Sequence, residues 1–139
     1  MCLYTITQTL NPPDHKVRKA WKIVTGRNSS PFYHIILTSK WSTANNLEIN
    51  SGKCEDKYIT GFHSYFSKKD ADAMVQAITP YHVDGQYSVV PVEIKDITYI
   101  GTDGTLWYTT PETRSIRNYV SNKIRLLPIK KKKNKKKGK

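Results

Sequence analysis

A chain of 139 residues has room for one domain with its own core, and nine Tyr and three Trp point to a core rich in aromatic side chains. Two cysteines are too few for a disulfide framework, no signal-peptide pattern opens the chain, and no run approaches the roughly 20 apolar residues of a membrane span, so an intracellular, cytoplasmic protein without a membrane partner is expected. The formal net charge of +12 is uneven: Lys130, Lys131, Lys132, Lys133, Lys135, Lys136, Lys137 and Lys139 supply eight of the 23 basic residues, and the 15 that remain against 11 acids leave residues 1–129 at only +4.

In chain order, residues 1–10 alternate as a strand and break at Asn11-Pro12-Pro13-Asp14. Cys2 could become an N-terminal thiol nucleophile if Met1 were removed, but nothing else in the sequence supplies an oxyanion hole or a substrate pocket. Lys19–Thr25 and Phe32–Thr38 are β-branched and aromatic, and turn residues 26–31 between them predict a hairpin whose second strand is central, with both faces apolar. Ser39–Lys57 is polar and predicts a loop of nearly twenty residues, pinned to the body by Trp41 and Leu47.

Gly61–Ile78 holds the clearest helix signal, and the rest of the chain is expected to pack on it. Ser67 stands at the N-cap, Asp70 in the first turn, and Ala71, Met74, Val75 and Ile78 share one face, while Phe66 can staple the entry. Residues 81–86 read as a turn into a strand over 87–95, where Pro91 marks an edge or a bulge. Asp103-Gly104 predicts a tight hairpin between 97–101 and 105–109, and residues 111–115 a helical turn. Residues 119–129 fit a strand or a short helix. Together these elements predict an α+β fold: an antiparallel, twisted sheet of about five to seven strands packed against one main helix, in a single domain over 1–129, followed by a disordered Lys-rich tail over 130–139.

Eight lysines on a flexible segment attract phosphate backbones by counterion release without reading sequence. Aromatic residues near cations (Lys19, Trp21 and Lys22; Tyr119, Lys123 and Arg125) could stack bases, so Lys123 and Arg125 join the tail lysines as candidate nucleic-acid contacts, although aromatics in strands more often belong to a core. No metal motif is present, and neither a cofactor nor a metal is expected. Polar groups that an enzyme could use are His34, His63, Glu93 and Glu112, none of them in a standard catalytic motif.

Ala20-Trp21-Lys22-Ile23-Val24, Gly61-Phe62-His63-Ser64-Tyr65-Phe66 leading into Lys69-Asp70-Ala71, Val89-Val90-Pro91-Val92-Glu93 and Ile100-Gly101 together resemble small domains of unknown function encoded by bacteriophages and prophages. That resemblance implies a phage-type accessory protein acting in the host cytoplasm. A more distant likeness to ADP-ribosyltransferases would place His34 or His63, Tyr65 and Glu93 around a nicotinamide dinucleotide, though the usual strand motif of that family is missing. The leading expectation is a non-enzymatic binding protein whose partner is nucleic acid, a host nucleic-acid-bound complex, or both. The alternatives are a dinucleotide-using enzyme and a pure protein-interaction inhibitor of a host factor.

Overall fold

The computed structural model describes residues 3–26, 28–30, 35–44, 48–50, 57–78, 87–103 and 116–128. The strands are β1 (Leu3–Asp14), β2 (Arg18–Thr25), β3 (Ser42–Thr43), β4 (Glu48–Asn50), β5 (Lys57–Ile59), β6 (Phe62–Tyr65), β7 (Tyr87–Asp103) and β8 (Arg117–Leu126), with helix α1 (Lys68–Ile78) between β6 and β7. Six strands form one antiparallel sheet in the order β1-β7-β2-β6-β8-β3, while β4 and β5 pair separately. The architecture is therefore α+β, mostly antiparallel sheet with one helix among the described residues. None of those residues belongs to a helix long and apolar enough to cross a membrane.

Strand β7 organises the sheet. Its first half pairs with β2 (Arg18↔Ile94 through Thr25↔Tyr87), its second half with β1, and its other edge with β8 from Val92↔Leu126 to Thr102↔Arg117. Because β2 also meets β6 at Trp21↔Tyr65, and β6 pairs with β8 over Phe62–Tyr65, the ladder β7-β2-β6-β8 returns to β7 as a small closed roll. All four strands supply its interior: Ala20, Val24, Phe62, Val92, Ile94, Ile97 and Ile124 form one buried cluster. Gly61 is required where β6 begins, since a Cβ there would lie 2.6 Å from the Ser121 carbonyl oxygen and 2.7 Å from Val120 Cγ1.

Helix α1 begins as its sequence dictates. The Asp70 N–H donates to Ser67 Oγ at 3.2 Å and the Ala71 N–H to the Ser67 carbonyl at 3.2 Å, so Ser67 is the N-cap. Ala71 and Met74 are buried in a second cluster with Ile23, Tyr65 and Ile116, against which Trp21, Val75 and Val89 pack. The helix therefore serves one side of β2 and β6, while the larger cluster is built by strands without it. This corrects the expectation that the whole chain packs on α1.

Four further expectations change. Strand β2 pairs with β7 and β6 and forms no hairpin ladder with residues 35–38, where only isolated bridges (Thr25↔Ser29 and Ser29↔Ile36) close the turn and Ile36 is 57% exposed. The strand predicted as central is therefore not one over its described residues. Ser39–Lys57 is no continuous loop, because it contains β3 and β4 and runs into β5. Pro91 marks no bulge: it pairs with Trp21 of β2, and on the β8 side, where its carbonyl accepts the Leu127 N–H at 3.2 Å, the ladder ends at Val92, so its missing N–H points to a local edge. The irregularity lies further on, at Asp96 with φ 57° and at the register shift between Ile97 and Tyr99. Residues 117–126 resolve to strand. The turn over 81–86, the Asp103-Gly104 hairpin's second strand and the helical turn over 111–115 lie outside the described residues.

Candidate functional site

Period-two alternation along β7 and β8 puts Val92, Ile94 and Ile124 in the interior and turns Glu93, Lys95, Lys123 and Arg125 the other way. Register then sets Glu93 directly opposite Arg125 and Lys95 directly opposite Lys123. On the far side of β7, Lys19 stands opposite Glu93. On the far side of β8, Thr43 stands opposite Lys123 and Ser42 opposite Ile124, so the same register carries Trp41 alongside Arg125. Three strands and the residue just before β3 thus contribute one row, Trp41, Arg125, Glu93 and Lys19, flanked by Lys95 and Lys123.

The row is held by specific contacts. Arg125 Nε donates to Glu93 Oε1 at 2.8 Å and its Nη2 lies 2.7 Å from the same oxygen, which presents one edge of the guanidinium to the acid and leaves Nη1 without a hydrogen-bond partner among the described residues. The same guanidinium lies 4.5 Å from the centre of the Trp41 ring, and Lys95 Nζ lies 4.6 Å from it. Two lysines opposite each other on adjacent strands repel, and the Trp41 ring offsets part of that cost for Lys95. Four cations, Lys19, Lys95, Lys123 and Arg125, share this face with one carboxylate, Glu93, giving a net positive patch with Trp41 at one end.

The other end of the same face is closed. Trp21, Ile23 and Val89 lie under α1, and Tyr119 stacks on Phe66 at 4.1 Å with the rings 12° from parallel, Arg117 sitting 4.9 Å from the Phe66 centre. Neither Trp21 nor Tyr119 is therefore an open stacking platform. Lys22, grouped with them in sequence, is 2% exposed and donates from Nζ to the His63 carbonyl at 2.8 Å. The set of Lys19, Trp21 and Lys22 is split between surface, helix interface and interior.

The remaining candidates do not converge. His63 and Tyr65 are both buried on β6, and Glu93 faces Arg125 in the surface row. Burial pushes the His63 pKa well below its ordinary 6.5, nearby positive charge including Lys22 pushes the same way, and Asn118 pulls slightly against them, so the imidazole is neutral. Asn118 approaches without the geometry of a full hydrogen bond: its carboxamide atoms, His63 Nδ1 and Ser64 Oγ are buried without a hydrogen-bond partner. His34 and the tail lysines 130–133, 135–137 and 139 lie outside the described residues, as does Glu112. No group of three or more His, Cys, Asp or Glu that could hold a metal occurs among the described residues.

Sequence reading found Lys123, Arg125 and Glu93 but assigned the last to a different chemistry, and it gave Trp41 only an anchoring role and Lys95 none. The charged alternation of Glu93 and Lys95 against that of Lys123 and Arg125 was visible in the sequence. The register that sets them opposite each other was not. No family model, curated protein or solved structure matches the chain.

Proposed function

We propose that this chain is a non-enzymatic nucleic-acid-binding accessory protein whose Trp41, Lys95, Lys123 and Arg125 patch holds a phosphate backbone, with Lys130–Lys139 adding unspecific attraction. The observation that carries the reading is the pairing of Lys95 with Lys123 beside an Arg125 whose free edge is oriented by Glu93: like charges set side by side at a folding cost are relieved by a polyanion. Arg125 supplies geometry and the two lysines supply charge. The resemblance of the Gly61–Phe66 and Val89–Glu93 stretches to phage-encoded domains supports a setting in a host cell, where the nucleic acid could be free or part of a host complex. No observation favours the dinucleotide reading, since Glu93 is engaged by Arg125 and Tyr65 is fully buried.

The test is a titration of the chain, with and without residues 130–139, against single- and double-stranded DNA and RNA at two salt concentrations. Truncation should weaken binding and flatten its salt dependence. Lys95→Glu with Lys123→Glu in the truncated chain should abolish what remains. Unchanged binding after both changes would refute the proposal.

A further inference from the structure

Away from the cationic row, the second half of β1, the end of β5, β7 just past its bulge and β8 enclose a cleft of about 240 Å³. Its polar lining is Thr9, Asn11, Thr98 and Asn122, its aromatic wall is Tyr99, and Leu10, Pro13 and Ile59 complete it, so no charged side chain lines it. The Tyr99 wall is rigid: its hydroxyl accepts the Ile59 N–H at 3.2 Å, and its ring meets Tyr58 edge-on at 5.5 Å and 75°. The Thr98 hydroxyl is committed to the Val120 carbonyl at 3.3 Å. Asn11 and Asn122, in contrast, line the cleft with carboxamides that make no hydrogen bond among the described residues.

We propose that this cleft receives one nucleobase. A carboxamide carries a donor and an acceptor side by side in one plane, the arrangement that matches the edge of a base, and two of them here are uncommitted. A fixed aromatic ring supplies a stacking surface. The uncharged lining offers a free phosphate or carboxylate no counter-charge, while a neutral heterocycle loses little on entering it. The volume lies below the roughly 300–1,000 Å³ of sites for larger ligands and suits a single ring system. The inference rests on the nucleic-acid reading for the source of the base, a single strand whose bases are unstacked, but the cleft recognises the base itself.

The experiment uses the full chain labelled with ¹⁵N, titrated with each of the four ribonucleosides to millimolar concentration and, separately, with methyl glucoside. Saturable shifts at the Asn11 and Asn122 side-chain amides, larger for one base than for the others, are expected. Asn122→Ala should weaken that binding by about tenfold or more, the loss of one well-made pair of hydrogen bonds. Asn11→Ala, a change at an exposed position, should weaken it as well, so a folding defect in the first variant leaves the proposal open to refutation by the second. Lys95→Glu should leave nucleoside binding unchanged. Silence at these amides with every nucleoside, or equal shifts with methyl glucoside, would overturn the assignment. If single-stranded oligonucleotides bind through Lys95 and Lys123 while the cleft amides do not move, the cleft proposal falls and the patch reading stands. If nucleosides bind but oligonucleotides gain nothing over them, the patch reading falls and the cleft assignment stands.

Discussion

The two halves of β8 carry similar numbers of polar side chains and treat them in opposite ways. From Asn118 to Ser121 the polar groups are sealed inside with His63, Ser64 and Lys22, several of them without hydrogen-bond partners. At Lys123 and Arg125 they face outward, Arg125 paired with Glu93 and resting on the Trp41 ring. Each unsatisfied buried group costs about 1–3 kcal/mol, whereas an exposed ion pair contributes about 0–1 kcal/mol. The first half is thus where the fold is vulnerable, and the second is where charge can be spared for a ligand.

Breaking the interior should give the largest effects. Phe62→Ala, which empties the middle of the roll, should cost about 3–5 kcal/mol in chemical denaturation. Gly61→Ala places a methyl against the Ser121 carbonyl and should cost about 1–3 kcal/mol by the same measurement, although it adds only one carbon. A result near zero for Gly61→Ala would mean that β6 and β8 can move apart.

Acid sharpens the contrast. The His63 pKa is lower in the folded protein than in the unfolded chain, so the unfolded state binds the extra proton first. Stability is full above the ordinary value of 6.5 and falls as pH drops below it, at no more than about 1.4 kcal/mol per pH unit for one group. His63→Gln should flatten thermal stability across that window. Asp14 acts lower down. Its pKa is depressed by the Lys16 backbone N–H and then by Arg18, so its contribution is present above 3.8 and is lost only as pH falls below that value.

The smallest effects on stability should come from the surface row. Lys95→Ala should change the unfolding free energy by about 0.5 kcal/mol or less. The same variant should reduce the salt slope of nucleic-acid binding by about 1. A large loss of stability from Lys95→Ala would mean that the Trp41 contact is structural and would undercut the patch as a binding surface.

Much of the local structure was written in the chain. Ser67 and the spacing of Ala71 and Met74 fixed the helix and its buried face, because capping and period are short-range. The alternation of residues 87–95 gave a strand. Where reading failed, the deciding partner was distant in sequence. The Lys19–Thr25 and Phe32–Thr38 stretches look like hairpin partners in the sequence, yet β2 is claimed by β7 some seventy residues on, and β3 finds β8 across eighty. Lys22 looked like a surface cation and is instead an interior donor to the His63 carbonyl.

By itself the sequence determined the helix and its cap, the strands at 19–25 and 87–95, and the concentration of lysine after residue 129, since each depends on neighbours a few positions away. Only the tertiary structure decided strand order and register, and with them which charges meet. A shift of one residue in pairing would send every side chain of β7 to the other face, so the row of Trp41, Arg125, Glu93 and Lys19 exists only because the roll closes in this one register.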